Sequence, residues 1–384
     1  MKVLYDHQIF TLQNYGGISR YFCEIIRNRP SNEEIKLSVV ESDNIYLQEY
    51  FQMPSLKGKH LDYASFLNGN QFVGRYYTFN FLEKTQLLKT SRVINNRACI
   101  RDLKEKNYDI FHPTYYDDYF LPFLGKKPFV LTIHDMIPEL FPDQFKYDDQ
   151  ARQKKKLAQK ADAIIAVSEN TKNDIVRILG IDPSKIHVIY HGGPKIEEAS
   201  TTPIINKPYF LFVGRRPGYK NFNLTLYEFT EIHKKYPDIS LVCTGDKLEN
   251  EEVEIINKLG LKSAVIQLSA QDNILKNLYA NALALIFPSK YEGFGLPILE
   301  AYAYGCPVVL NHTSCFPEIA GKAAVWFNES DSSFTLQKAM ETIINLDNPG
   351  RIGLKQCGYE RLKNFSWESS SKKLFEIYSS ITGK

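Results

Sequence analysis

The chain has little of what metal, redox or disulfide chemistry would need. Its six cysteines (Cys23, Cys99, Cys243, Cys306, Cys315 and Cys357) are scattered, with no C-x-x-C pair. That pattern argues against a zinc site or a disulfide framework and for a reducing compartment. No Asp-x-Asp triplet is present to hold a divalent ion against a diphosphate. There is no P-loop, and no G-x-G-x-x-G follows a strand. No apolar run approaches the roughly 20 residues of a membrane-spanning helix. Neither charge sign dominates: the formal net charge is +3, too small an excess for a nucleic-acid binder that works through phosphate contacts. The opening MKVLYDHQIF reads as a short strand rather than a secretion signal. The expectation is a soluble cytoplasmic protein with no metal, no cofactor and no nucleic-acid partner.

At 384 residues the chain is too long for one ordinary core, and two domains are expected. Short apolar runs alternate with helical segments. Strands are expected at Val3–Tyr5, Leu37–Val40, Ile110–Phe111, Phe129–Ile133, Ala163–Val167 and His187–Tyr190. A second set is expected at Phe210–Val213, Leu241–Thr244, Val265–Leu268, Ala284–Phe287 and Val308–Leu310. Continuous Val, Ile, Leu and Phe without alternation is the pattern of parallel strands covered on both faces. The fold class is therefore α/β, two Rossmann-like doubly wound parallel-sheet domains. Residues 192–208, rich in Gly, Pro, Ser and Thr, are the expected linker between domains at 1–191 and 209–365. Ser366 is placed to cap a last helix across 366–384, with Trp367, Leu374, Phe375 and Tyr378 on its apolar face. Residues 45–98 read either as a helical insertion lining an acceptor side or as a surface excursion. Arg152, Lys154, Lys155, Lys156 and Lys160 read either as a solvated helix face or as a contact for an anionic membrane surface.

Four segments carry candidate chemistry. In Glu292-Gly-Phe-Gly-Leu-Pro-Ile-Leu-Glu300, two carboxylates flank a glycine turn and a proline that opens a helix. Gly293, Phe294, Gly295 and Leu296 would lie at that helix's N-terminus, where unpaired N–H groups suit a phosphate. Glu300 would fall one turn in, within reach of sugar hydroxyls. The same segment also fits an ordinary strand-to-helix turn with a capping charge. Gly16-Gly17 follows the first strand and opens a helix, which lets backbone approach a ligand closely. Gly214-Arg215-Arg216-Pro-Gly-Tyr-Lys220 follows the strand that opens the second half. Its charges could neutralise a diphosphate at the strand's carboxyl end. His134 stands at the carboxyl end of another strand, placed to meet a sugar hydroxyl or to serve the structure.

These segments resemble a known family. YDHQIF…YGGISRYF, FHPTYY, TIHDMIPELFP, AVSENTKNDI, VIYHG, FVGRRPGYKN, FPSKYEGFGLPILEAYAYGCPVV and FPEIAG are similar to the retaining glycosyltransferases of family 4, in the two-domain GT-B architecture. The resemblance covers nearly the whole chain. It is greatest to the bacterial mannosyltransferases that build O-antigen-like polysaccharides. It implies that Arg216, or Arg215 beside it, and Lys220 hold the donor diphosphate. Glu300 would bind the ribose, Glu292 would sit by the transferred sugar, and the Gly293–Leu296 backbone would meet sugar and phosphate. Gly16 and Gly17 would approach the diphosphate, His134 would contact the sugar, and the last helix would cross back onto the first domain. The implied donor is a GDP- or UDP-linked hexose, with mannose the leaning of the branch. The implied acceptor is a glycan or lipid-linked oligosaccharide. A sugar-nucleotide epimerase and a non-catalytic sugar-binding subunit are the competing readings.

Overall fold

The computed structural model describes every residue except 54–60, 64, 71, 86, 147, 197–201, 217 and 271. Parts of the 45–98 segment, and of the expected linker at 192–208, lie outside the described residues. In the first half, strands β1 (Lys2–Tyr5), β2 (Glu34–Leu37) and β3 (Ile110–His112) are followed by β4 (Val130–Ile133), β5 (Ala163–Ala166) and β6 (Ile186–Val188). All pair in parallel, in the orders β2-β1-β3 and β4-β5-β6. A parallel bridge between Phe111 and Phe129 joins the two groups into one layer. The second half holds β7 (Tyr209–Phe212), β8 (Ser240–Thr244), β9 (Val265–Leu268), β10 (Ala284–Phe287), β11 (Val308–Asn311) and β12 (Val325–Phe327). They form a parallel sheet in the order β12-β11-β10-β7-β8-β9. Every residue of β4, β5, β7, β8, β10 and β11 is buried, as continuous apolar runs between two helical layers require.

Two strands depart from the expected positions. β2 lies at Glu34–Leu37 rather than Leu37–Val40, because it is an edge strand held by charge. Lys36 pairs with Asp102 at 2.9 Å, so the apolar pattern of Val39 and Val40 misplaced it. β12, three residues at the opposite edge of the second sheet, has too short an apolar run to be read from the sequence.

The helix Trp367–Thr382 begins where Ser366 accepts a hydrogen bond from the Ser369 amide. Its apolar face joins the first half of the molecule. Trp367, Leu374, Phe375 and Tyr378 share a core with Val3, Tyr5, Phe22 and Ile25. The Tyr378 hydroxyl lies 2.9 Å from that of Tyr5 and also bonds His112 Nδ1. Ser371 donates to the Ile25 carbonyl at 2.8 Å. The chain thus crosses between halves twice, and the crossings touch. A β-carbon on Gly192 would stand 2.3 Å from the Trp367 amide nitrogen, and the Gly193 amide donates to the Phe365 carbonyl.

The five-residue basic cluster does not form one face. Lys154 on the helix Gln150–Lys160 is fully buried. Its ammonium donates to Glu139 Oε2 at 3.0 Å and to the Asp135 carbonyl at 2.8 Å. Arg152 pairs with Asp149, and Lys156 with Asp118. Among the described residues no helix is long and apolar enough to cross a membrane. Lys154→Ala leaves Glu139 charged and without its cation in the core. It should destabilise the fold by about 3–5 kcal/mol in urea unfolding, against less than about 0.5 kcal/mol for the exposed Lys155→Ala.

Candidate active site

Parallel strands deliver their following loops to one edge of each sheet, and in open α/β sheets ligands bind at that edge. Here the loops after β1 and β4 face those after β7 and β10 across a cleft. The helices Gly17–Arg27 and Leu296–Ala303 both begin there. Their first turns meet: a β-carbon on Gly17 would stand 3.4 Å from Leu296 Cδ1. Gly295 caps the second helix at φ 96°, a conformation that favours glycine, with Pro297 in its first turn. The free N–H groups and positive dipole ends of two helices therefore look into one space.

Lys220 and Glu292 come together at that space, Nζ to Oε1 at 2.5 Å. The ammonium also lies over the rings of Tyr219 at 5.2 Å and Phe287 at 5.6 Å. Glu292 is fixed through its backbone, which exchanges hydrogen bonds with the Ser314 hydroxyl.

The two arginines part company, against the expectation that Arg216 faces the diphosphate. Arg216 is buried, with Nε on Glu252 Oε1 at 2.9 Å and Nη2 on the carbonyls of Asp246 and Lys247. Nε and Nη2 are thus taken by Glu252 and the turn after β8, while the buried Nη1 has no hydrogen-bond partner among the described residues. Arg215 is exposed, makes no ion pair with a described residue, and lines the cleft cavity. Burial, with the Glu292 and Asp135 carboxylates, pushes the Tyr219 phenol's pKa up, and Arg215 opposes that shift. The cations of this loop at the cleft are therefore the exposed Arg215 and the Glu292-paired Lys220.

Glu300 stands one turn into its helix. Arg20, from the helix Gly17–Arg27, reaches it across the cleft at 2.9 Å, and Tyr279 donates to its other oxygen at 3.1 Å. The ring of Phe294 does not enter the cleft. It packs edge-on against His191 and Phe365 in the core between the halves. The Gly293 carbonyl is also committed, accepting from Ser168 at 2.7 Å and Thr171 at 3.3 Å. A β-carbon on Gly293 would stand 1.7 Å from the His134 carbonyl oxygen.

His134 is buried, its ring edge-on to Tyr21 at 5.0 Å and stacked on His191 at 5.9 Å. Burial first, with smaller repulsive couplings to the neighbouring imidazoles and to the Lys154 ammonium, holds its pKa well below the usual imidazole range. It is neutral near pH 7, and its Nε2 has no hydrogen-bond partner among the described residues. A neutral imidazole with an open nitrogen can accept from or donate to a hydroxyl, but is poorly suited to act as a base.

The sequence reading missed the polar set behind the first strand. The Asp6 carboxylate accepts from the Thr114 amide at 2.8 Å, the Thr114 hydroxyl at 2.7 Å and Gln8 Nε2 at 2.8 Å. This orients Gln8 toward a cavity of about 410 Å³ that also takes in Gln13, Tyr115, Asp117 and Arg215. Gln13 touches the Gly16 turn: its Oε1 would stand 2.4 Å from a β-carbon there. The signal was available in Asp6-His7-Gln8, three polar residues at the carboxyl end of a buried strand.

A family model described as "Glycosyltransferase Family 4" matches residues 60–192, and one described as "Glycosyl transferases group 1" matches 195–358. The chain belongs to the family 4 glycosyltransferases. O-antigen chain mannosyltransferase RfbU of Salmonella typhimurium is 31% identical over 221 residues, which cover 56% of this chain and 61% of that protein. O-antigen chain mannosyltransferase B of Escherichia coli is 26% identical over 385 residues, covering 94% of this chain and 95% of the relative. The fold recurs in the crystal structure of Anabaena Alr3699/HepE in complex with UDP and glucose. The TM-score is 0.73 at 19% identity, with 99% of this chain and 100% of that one covered. Sucrose-phosphate synthase from Thermosynechococcus elongatus gives 0.73 at 17% identity, with 100% and 99% covered. The two-sheet arrangement of this glycosyltransferase is thus the GT-B fold. Among its described residues, no three His, Cys, Asp or Glu side chains come together in a way that could hold a metal ion.

Two predictions follow from this geometry. Gly293→Ala must separate the loops after β4 and β10, and should cost at least about 1–3 kcal/mol by overpacking together with most activity. Unchanged melting and turnover would remove the close approach. Burial also holds His112 and His191 at a pKa of about 3. In the unfolded chain these rings titrate near 6.5, so protons favour the unfolded state below that pH. Their stabilising effect is complete above about pH 6.5 and is lost progressively toward pH 3, by about 2 kcal/mol per ring at pH 5. His191→Phe should flatten the pH dependence of urea-unfolding stability between pH 7 and 5 by about 0.7 proton on average; an unchanged slope would contradict the assignment.

Proposed function

We propose that this glycosyltransferase moves a hexose from a nucleoside-diphosphate sugar to a hydroxyl of a glycan or lipid-linked acceptor, with retention and without a metal. The observation that carries the reading is the convergence of Arg215, Lys220 and two helix N-termini on one space bordered by Glu292 and Glu300. A diphosphate leaving group needs several positive groups at the point where charge develops, and this arrangement supplies them in place before reaction. Glu300 would accept the ribose hydroxyls. Glu292 and neutral His134 would hold the hexose. The mannosyltransferase relatives and the UDP complex named for the structural neighbour support a nucleotide-linked hexose, with mannose the first candidate, and a place in bacterial surface polysaccharide synthesis.

In this mechanism the acceptor hydroxyl enters on the face that the diphosphate leaves. The bond from the anomeric carbon to the phosphate oxygen breaks, and a bond to the acceptor oxygen forms on the same side. The acceptor proton passes to the departing phosphate, whose new charge is held by Arg215 and Lys220. No side chain has to act as a strong base, consistent with the neutral state of His134.

Thermal melting with GDP, UDP, dTDP and ADP, each with and without EDTA, tests the donor half. One nucleotide should raise the melting temperature by a few degrees at about 100 times its Kd, with no change on adding EDTA. A shift that EDTA abolishes would overturn metal independence. Lys220→Ala and Glu292→Ala should each lower turnover by at least about 100-fold, measured at a temperature where melting curves show both variants folded. Arg215→Ala should behave alike, whereas Arg216→Ala should lower stability by about 3–5 kcal/mol through the abandoned Glu252. Full activity in Arg215→Ala would return the diphosphate to other groups.

A further inference from the structure

We infer, resting on the transferase reading above, that Ser314 is a positioning residue for Glu292. Its hydroxyl sets the carboxylate that borders the hexose, and the chain keeps a strained backbone to hold that hydroxyl in place. β10 and β11 are parallel neighbours, so the loops that follow them leave the sheet side by side. Side chains of the second loop clasp carbonyls of the first in order along the chain. Asn311 Nδ2 donates to Ser289 at 3.5 Å, and Thr313 Oγ1 to Lys290 at 3.5 Å. Ser314 Oγ donates to the Glu292 carbonyl at 2.6 Å and accepts from the Glu292 amide at 3.2 Å. Cys315 Sγ donates to the Phe294 carbonyl at 3.1 Å. Within this series Ser314 grips both peptide groups that flank one residue, and that residue is Glu292.

The backbone at Ser314 stands at φ 54°, in the left-handed region where a β-carbon crowds the following carbonyl. Gln52 and Lys106 share such a φ where helices end, and Asn221 is a residue type that tolerates it. Ser314 follows a strand and ends no helix. Glycine would fit that backbone without strain, but it has no hydroxyl. Strain kept at a residue whose side chain holds a site group is a mark of preorganisation. With both flanking peptide groups held, Glu292 retains only side-chain freedom, and Lys220 at 2.5 Å limits that. The next residue is held from the opposite half, by Ser168 and Thr171 on the Gly293 carbonyl. The carboxylate is therefore aimed before a sugar arrives. Precision of this kind matters, since a misplacement of about 1 Å can slow an enzyme by about 100-fold.

The test compares Ser314→Gly, Ser314→Ala and Glu292→Gln in the full chain. GDP-mannose and UDP-glucose serve as donors, methyl α-mannoside as acceptor, and release of the nucleoside diphosphate as the readout. Both serine variants lose the hydroxyl, but only glycine relieves the backbone, so Ser314→Gly should melt above Ser314→Ala. Their kcat should nevertheless fall alike, by about tenfold or more, with the donor KM within about threefold of the parent. In a Glu292→Gln background, Ser314→Gly should lower kcat by less than about twofold further, because a positioning residue acts only through the group it positions. A kcat that tracks melting temperature, higher in Ser314→Gly than in Ser314→Ala, would overturn the positioning role. So would a full tenfold loss in the Glu292→Gln background. Either result would leave Ser314 a packing residue and the transferase reading intact. No release from either donor, with no stabilisation of the parent by GDP or UDP, would remove that reading and this inference with it.

Discussion

The His134 carbonyl oxygen lies 1.7 Å from the point that a β-carbon on Gly293 would occupy, and the site depends on that contact between the two halves. It brings the loop after β4 against the loop after β10, so a residue from each sheet borders one space. Other contacts hold the same register. Ser168 and Thr171 donate to the Gly293 carbonyl. Tyr291 donates to Asp174 at 2.8 Å, and the Glu318 carboxylate accepts from the amides of Glu169 and Asn170. That last contact is a helix cap supplied by the opposite half, with a carboxylate meeting the free amides of a first turn. Gly218 repeats the theme, for its β-carbon would collide with Gln144.

On the proposed function, charge along the cleft would match the parts of a nucleotide sugar. The diphosphate would meet the exposed Arg215, together with Lys220 and two helix N-termini. The hexose would meet the buried His134, kept neutral chiefly by desolvation. A positive charge there would have to be stripped of water with no anion to meet it, a cost that shifts the titration instead. A neutral polyol and an anionic leaving group thus find different environments within one cleft. The same burial makes the fold depend on pH, since the imidazoles that stay neutral when packed take up protons once released.

Much of this was legible in the sequence, for physical reasons. Buried parallel strands appear as unbroken apolar runs, and most lie within a residue or two of their expected places. The glycine, proline and acid pattern at 292–300 marked a helix N-terminus because each residue has its own backbone reason to be there. What could not be read were choices made by distant partners. Both Arg215 and Arg216 follow Gly214, and Glu252 with the carbonyls of Asp246 and Lys247, far along the chain, decides which turns inward. Lys154 reads as one of five cations on a polar helix, and Glu139 with the Asp135 carbonyl draws it into the core. The cavity behind β1 depends on Asp6 orienting Gln8, a contact invisible to periodicity. The edge strands β2 and β12 failed for the opposite reason, since their partial exposure weakens the pattern that marks a central strand.

Glu300 stands where the two halves meet. One of its oxygens is held by Arg20 from the opposite half and the other by Tyr279. On the proposed function this carboxylate also receives the ribose, so the donor enters where the two halves already touch. A carboxylate has about four acceptor positions, enough for two ribose hydroxyls beside Arg20 and Tyr279 if the geometry is kept. The pair is partly exposed, at 23% and 17%, so its attraction is screened and its net strength modest. A contact of that strength can orient a carboxylate between turnovers without locking the cleft. A deeply buried pair would have fixed the two halves together and closed the route by which a nucleotide must leave.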